Sequence, residues 1–168
     1  MEIRLLDSSD AEVYWKIRLE ALQQNPEAFM VSYEEALKRE KPIEQTSHQL
    51  AAEENFTFGA FDEGNLIGVV TLLLEKQSKI QHRANIFAMY VTPKKRGMGV
   101  GKALLTEAIN KAKTINRIEK INLSVTAGNE KAKNLYSSLG FKVYGMEENA
   151  IKVNGTYFGD EHMDLHLK

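Results

Sequence analysis

The chain has 168 residues, of which 43% are hydrophobic and 27% charged, with no cysteine and a formal net charge of −1. This composition is typical of one globular domain, so we expect residues 1–168 to form a single domain, and it excludes a disulfide framework, a thiolate metal site and a cysteine nucleophile. The near-neutral charge argues against nucleic acid as a partner, and the lack of an ~18-residue apolar run or a signal-peptide pattern predicts a cytoplasmic protein with no membrane partner.

The N-terminal segment predicts a strand followed by a helix. Residues 2–6 alternate weakly between apolar and polar types, as a strand does. The helix that follows is expected to take Ser8 or Ser9 as its capping residue and to end before Pro26. Its predicted buried face consists of Val13, Ile17, Leu19 and Leu22.

The middle of the chain predicts more helix and then three neighbouring strands. Residues 27–54 indicate one or two helices, broken near Pro42. Residues 56–75 form two β-rich runs joined across "DEGN", which predicts a hairpin. Residues 84–93 are a third strand, halted by Pro93 because proline has no amide to extend a ladder.

The C-terminal part alternates between helices and strands. From Gly99 the period changes to 3.6, and we expect a helix that buries one face. That face is predicted to contain Leu104, Leu105, Ala108, Ile109 and Ala112. A strand over 120–125, a helix over 129–140 and a terminal hairpin over 141–167 around "VNGT" complete an α+β, or mixed α/β, domain built on one sheet.

The stretch "KKRGMGVGKALL", residues 94–105, predicts an anion site. A strand, a proline stop and glycines that lead into a helix leave unpaired amides at the helix N-terminus. Gly97, Gly99 and Gly101 remove side chains that would keep a phosphate away, and Arg96 and Lys102 add positive charge. A glycine turn beside solvated lysines is the simpler alternative.

The spacing of the glycines excludes two common nucleotide motifs. A dinucleotide-binding motif that starts at Gly99 would need glycine or alanine where Leu104 stands. A P-loop that ends at Lys102 would need glycine in place of Arg96, and serine or threonine in place of Ala103. A different phosphate compound is therefore indicated.

The helix over 129–140 contributes a second group of candidate residues. On a helical wheel Tyr136 lies at the border of the apolar stripe, on the same side as Asn129. A tyrosine at such a border buries its ring and leaves its hydroxyl free. Considered alone, the helix favours a simpler interpretation, in which Tyr136 is a core-edge aromatic and Asn129 is only an N-cap.

These stretches resemble the GNAT superfamily of acyl-CoA-dependent N-acetyltransferases. Residues 96–101, "RGMGVG", fit its [Q/R]-x-x-G-x-[G/A] signature, which cradles the pyrophosphate of coenzyme A. The preceding strand and the following helix stand where the superfamily places them. Its N-x-x-A-x-x-x-Y-x-x-x-G-F pattern is matched by Asn129, Ala132, Tyr136, Gly140 and Phe141.

The resemblance implies a fold, a co-substrate and a set of site residues. The fold would be a mixed, mostly antiparallel sheet of six or seven strands flanked by about four helices. Acetyl-CoA would be the co-substrate, without a metal, and Tyr136 would be the acid that protonates the departing thiolate. The implied cofactor-binding residues are Met89, Tyr90, Val91, Arg96, Gly97, Met98, Gly99, Val100, Gly101, Lys102, Asn129, Ala132 and Tyr136. Backbone groups at 89–91 can serve only if the neighbouring strand has moved away.

The sequence departs from the superfamily at the proton acceptor. Many relatives carry a glutamate near the start of the strand before the glycine turn, where this chain has Asn85. Glu34, Glu35, His82 or a water relay are the alternatives for taking the proton of the amine. The missing glutamate also keeps open a non-catalytic acyl-CoA-binding or sensing module.

The acceptor and the assembly are less defined by the sequence. We expect a primary amine of a small molecule or peptide, and the resemblance leaves a homodimer as a candidate assembly because dimers are frequent among relatives. His162 and His166 stand four residues apart, but their segment alternates as a strand does, which would separate them by ~13 Å. No metal site is therefore expected.

Overall fold

A computed structural model describes residues 1–168 as seven strands and five helices. The strands are β1 (Glu2–Leu5), β2 (Asn55–Asp62), β3 (Asn65–Leu74), β4 (Arg83–Val91), β5 (Lys120–Thr126), β6 (Lys142–Val153) and β7 (Thr156–His166). The helices are α1 (Ala11–Gln24), α2 (Tyr33–Leu37), α3 (Pro42–Ala51), α4 (Val100–Lys113) and α5 (Glu130–Ser138). Short 3-10 turns occupy Ser8–Asp10, Pro26–Ala28 and Pro93–Lys95.

The seven strands form one sheet in the order β1-β2-β3-β4-β5-β7-β6. All neighbours are antiparallel except β4 and β5, which run parallel. The expected fold class, a mixed and mostly antiparallel sheet with helices on its faces, is confirmed. Both predicted hairpins are present, β2–β3 and β6–β7, and Pro42 begins α3 as expected.

Helices cover the two faces of the sheet. The predicted stripe of α4 is buried against one face, with Leu104, Leu105 and Ala108 inaccessible to solvent. α1 packs on the opposite face, where Tyr14 and Ile17 belong to a second, smaller core. We call these faces the α4 side and the α1 side. None of the five helices combines the length and apolarity needed to cross a bilayer.

The start of α1 differs from the sequence prediction. Asp7 caps the 3-10 turn Ser8–Asp10, where its side chain accepts the Ser9 amide and forms a capping box with Asp10. α1 follows with Asp10 at its N-cap position and no side-chain cap, so the prediction of Ser8 or Ser9 was wrong. Val13 is 44% exposed, so its predicted place on the buried face was also wrong. Tyr14 occupies the core in its place. Arg4 holds Asp10 through two hydrogen bonds of 2.9 Å, which ties β1 to the entrance of α1.

Candidate active site

A cleft opens where β4 and β5 separate. The two strands are paired only at Arg83–Lys120, Ala84–Ile121 and Asn85–Asn122. Beyond these pairs β4 carries one extra residue relative to β3, and Ala88 within that bulge has a left-handed φ of +54°. A bulge bends a strand and increases its local twist, so β4 turns away from β5. The separation that a backbone site at Met89, Tyr90 and Val91 requires is present in the structure.

The glycine turn at the N-terminus of α4 borders this cleft. Gly97 and Gly99 have φ values of +76° and +82°, a conformation that favours glycine. Gly99 is the N-cap and offers no side chain to the helix. None of the amides from Gly97 to Lys102 has an acceptor within the protein. These donors, at the positive end of a 14-residue helix, form a site for an anion.

The surroundings of the glycines show where a ligand fits. A Cβ placed at Gly97 or Gly99 would meet nothing within 4 Å, so the space over the turn is open. A Cβ at Gly101 would lie 2.9 Å from Met89 Cε and 3.2 Å from Leu135 Cδ2. Gly101 therefore allows α4 to pack closely on β4 and α5, while the space over Gly97 and Gly99 stays open.

Arg96 holds the turn in place through its side chain. Its Nε donates to the Val91 carbonyl at 2.8 Å, and its NH2 donates to Asn25 Oδ1 at 2.9 Å. The guanidinium thus links the end of β4 to the end of α1 and lies 5.4 Å from the centre of the Tyr90 ring. Lys102 is exposed and its ammonium makes no hydrogen bond or ion pair within the protein, so it is a cation of the turn that is free for an anion.

α5 presents Tyr136 and Asn129 to the same cleft. The Tyr136 ring is 7% exposed and packs edge-on against Phe141, with 6.1 Å between ring centres. Its hydroxyl makes no hydrogen bond within the protein, and burial raises the pKa of Tyr136 to about 12. The phenol is therefore protonated at neutral pH. Asn129 caps α5 by accepting the Ala132 amide at 3.3 Å.

A segment that follows α1 encloses the cleft from the α1 side. The 3-10 turn at Pro26–Ala28 packs against β5 and β6, and Thr126 Oγ1 donates to the Glu27 carbonyl at 3.3 Å. Phe29 and the neighbouring Arg18 line the space beneath this turn. The cleft therefore lies between the sheet and helical segments close to the N-terminus.

Strands β5, β6 and β7 supply a cluster of polar and aromatic side chains on the α1 side. Ser124 Oγ lies 2.8 Å from Nδ1 of His162, and Tyr144 stacks on the His162 ring with 6.1 Å between centres. Asp160 lies two residues before His162 and therefore shares its face of β7. Burial raises the pKa of the Asp160 carboxyl, a shift that His162 opposes. All four residues line the cleft.

The alternatives for a proton acceptor that the sequence suggested lie elsewhere. Glu34 and Glu35 are exposed on α2, where Glu35 belongs to a capping box, and His82 precedes β4 at the closed end of the β4–β5 pair. None of the three lines the cleft. Asn85, at the strand position where relatives carry glutamate, donates to Glu75 Oε1 at 2.9 Å. No group of three or more histidine, aspartate or glutamate side chains is arranged to hold a metal ion.

Comparison with known proteins assigns the family. The model of the acetyltransferase (GNAT) family matches residues 19–141, which include β4, the glycine turn, β5 and α5. The chain belongs to the acetyltransferase (GNAT) family. The resemblance drawn from the sequence is confirmed, and this GNAT domain shares its architecture with many solved structures.

Three relatives illustrate the match. L-amino acid N-acetyltransferase AaaT of Escherichia coli K12 is 27% identical over 101 residues, 60% of this chain and 62% of that enzyme, so the match spans less than two thirds of its length. A GNAT-family acetyltransferase of Streptococcus pneumoniae superposes with a TM-score of 0.86 at 21% identity and 99% coverage of both chains. The protein yncA of Salmonella typhimurium, solved with its cofactor acetyl-CoA, has a TM-score of 0.82 at 18% identity, covering 100% of this chain and 94% of its own.

The sequence did not predict the candidate site residues on the α1 side of this GNAT domain. Ser124 and His162 are 38 residues apart, and only the pairing of β5 with β7 brings them together. Arg18 could have been identified from its spacing in the sequence. It stands four residues from each of Tyr14 and Leu22, which are both buried on α1. A charged residue within an apolar stripe indicates a partly buried site.

Proposed function

We propose that this protein transfers an acetyl group from acetyl-CoA to a primary amine of a small molecule or peptide while both are bound. The observation that carries the proposal is the run of unpaired amides from Gly97 to Lys102 at the mouth of the β4–β5 cleft. Family membership supports the reaction type. The cofactor named for the Salmonella structure and the N-acetylation named for the Escherichia coli relative support the co-substrate and the amine.

The cofactor would be held mainly by backbone. The amides of residues 97–102 would bind its diphosphate, with Lys102 adding charge. The edge of β4 at 89–91, freed from β5, would bind the amide groups of its arm. Asn129 and Ala132 would border that arm from α5. When bound, acetyl-CoA supplies an acetyl group activated as a thioester.

Tyr136 would act as the general acid. A neutral amine attacks the carbonyl carbon directly, a C–N bond forms and the C–S bond breaks, so the reaction needs a proton for the leaving sulfur. Tyr136 holds a proton on its phenol oxygen because burial keeps its pKa high. Its hydroxyl has no partner in the protein and is free to donate that proton.

His162 would take the proton that the amine must lose. If Nδ1–H donates to Ser124 Oγ, the lone pair of Nε2 remains available to the amine. Asp160, on the same face of β7, would stabilise the imidazolium that forms.

Release of free thiol from acetyl-CoA, followed with a panel of amines, tests the function. We expect steady turnover with at least one class of amine, and calorimetry should detect coenzyme A binding. Binding without turnover by any amine would favour the non-catalytic acyl-CoA-binding or sensing module, which the missing strand glutamate left open. Absence of both binding and turnover would contradict the proposal.

A further inference from the structure

Three arginine side chains have no hydrogen-bond or ion-pair partner in the protein, and all three border the cleft. The chain contains six arginines. The side chains of Arg4, Arg96 and Arg117 donate hydrogen bonds within the protein. The guanidinium groups of Arg18, Arg39 and Arg83 make no hydrogen bond and no ion pair, and these three line the cleft. Charges in partly enclosed sites are normally paired, so this distribution points to an anion from outside the chain.

Arg18 and Arg39 form the more defined pair. Arg18 stands in the buried stripe of α1 and lies 4.6 Å from the centre of the Phe29 ring. Arg39 follows α2 and lies 5.5 Å from the centre of the Trp15 ring. These ring contacts use no N–H group, so the N–H edges of both guanidinium groups stay free to donate. Neither aromatic partner neutralises their charge.

The two guanidinium groups also repel each other. Burial lowers the pKa of Arg18, and the charge of Arg39 lowers it further. The Tyr14 hydroxyl is the nearby group that acts in the opposite direction, and it is itself neutral at physiological pH because burial raises its pKa. Both arginines stay protonated, since guanidinium does not lose its proton in proteins. Arg18 is half-buried and Arg39 is exposed, and both line the cleft. A carboxylate suits such a pair, because it accepts two parallel N–H bonds from one guanidinium.

We propose that Arg18 and Arg39 bind the carboxylate of the acceptor, so that the substrate is a small amine of the amino-acid class. This inference rests on the proposed function, because it specifies the acceptor of the same site. The amine would face the cluster of Ser124 and His162, which lies on the same side of the sheet as α1. The apolar rings of Trp15 and Phe29 would border the side chain of the amino acid.

The direct test compares each L-amino acid with the same molecule lacking the carboxylate. Acetylation of the standard amino acids is measured beside their decarboxylated amines and their amides, as kcat/KM. We expect the free amino acid to exceed both analogues by about 10- to 100-fold, the range of one or two charge-assisted hydrogen bonds. Equal or better turnover of the amine or the amide, in every pair, would overturn the proposal.

Arginine variants separate carboxylate binding from a structural role. In Arg18→Met and Arg39→Met the KM for the preferred amino acid should rise about 10- to 100-fold, while the KM for its decarboxylated amine and for acetyl-CoA stay within about threefold of wild type. Lys16→Met is the matched control, because Lys16 is exposed on α1 and does not line the cleft. A loss that is the same for amino acid and amine would show that the arginines only support the fold.

A binding measurement keeps the inference testable if no amine is acetylated. N-acetyl-L-amino acids, as reaction products, are titrated by calorimetry into the wild type and into the Arg18→Met/Arg39→Met double variant in the presence of coenzyme A. Binding to the wild type that the double variant loses supports the carboxylate site even if the proposed reaction has failed. Binding to both proteins alike, or to neither, overturns it.

Discussion

The two sides of the cleft differ in the chemical groups that they offer to a ligand, backbone amides on one and side chains on the other. On the α4 side the proposed binding groups are backbone amides of one continuous turn, residues 97–102, and a tyrosine from the next helix. On the α1 side they are side chains from separate parts of the chain, including Arg18, Arg39 and His162. Backbone donors suit a ligand that never changes, whereas side chains can be exchanged without rebuilding the fold. In this proposal one side would bind the co-substrate, and the other would select the acceptor.

Replacing Tyr136 with phenylalanine should have the largest effect of any single change. Loss of a general acid costs typically 10²- to 10⁴-fold, so we expect kcat to fall by about that range while the affinity for coenzyme A is unchanged. Stopped-flow or steady-state thiol release measures the rate, and calorimetry measures the affinity. An unchanged kcat, under conditions in which chemistry limits the rate, would show that Tyr136 is not the general acid.

Gly99→Ala should weaken the co-substrate side alone. Alanine at φ +82° is strained, and the first amides of α4 would move, so we expect coenzyme A affinity to fall about 10- to 100-fold. Gly64→Ala is the matched control, because Gly64 has φ +79° and open surroundings in the β2–β3 turn. Both variants should lose a similar ~1–2 kcal/mol of stability, and only Gly99→Ala should lose affinity. If the two variants bind coenzyme A with equal affinity, the glycine turn does not bind the cofactor.

His162→Gln should change the pH dependence more than the maximal rate. If the imidazole takes the proton of the amine, the variant can acetylate only amine that is already deprotonated. We therefore expect the activity of the variant to fall about tenfold at neutral pH and to recover at higher pH, measured as kcat/KM over a pH series. If the variant keeps the pH profile of the wild type, another group takes the proton of the amine.

Asp10→Asn should change stability and leave both sides of the cleft intact. Hydrogen bonding to Arg4 lowers the pKa of Asp10, so its contribution to stability is present above the unfolded pKa of about 4 and is lost as pH falls through the lower folded value. We expect a loss of about 1–3 kcal/mol at pH 7, shrinking towards pH 3, in urea unfolding. A constant difference at both pH values would mean that the ion pair does not contribute.

Sequence analysis was most informative where function depends on neighbouring residues. The glycine turn, the buried stripe of α4, both hairpins and Tyr136 on α5 could be predicted because each depends on residues a few positions apart. The β4 bulge at Ala88 could not, since alanine carries no signal for a left-handed φ. The Arg96–Asn25 contact joins residues 71 positions apart, and the Ser124–His162 pair depends on strand order. Such contacts exist only after folding.

The N-cap residue before α1 was also predicted wrongly, although it depends on residues close together in the sequence. Asp7, Ser8 and Ser9 are all good N-cap residues, and the choice among them is decided by Arg4, which holds the Asp10 carboxylate from β1. The capping box of Asp7 thus belongs to a 3-10 turn that precedes α1. Within α1, Tyr14 is buried and Val13 is exposed, the reverse of what the sequence pattern predicted for Val13.

The most direct test of the central claim is an amide NMR titration of the protein with coenzyme A. If the donors from Gly97 to Lys102 bind the diphosphate, the amide protons of Gly99, Val100 and Gly101 should move downfield on addition of coenzyme A, as hydrogen bonds to phosphate form. The Gly64 amide should not move. Resonances of residues 97–102 that stay unchanged at saturating coenzyme A, with shifts confined to other parts of the chain, would contradict the claim.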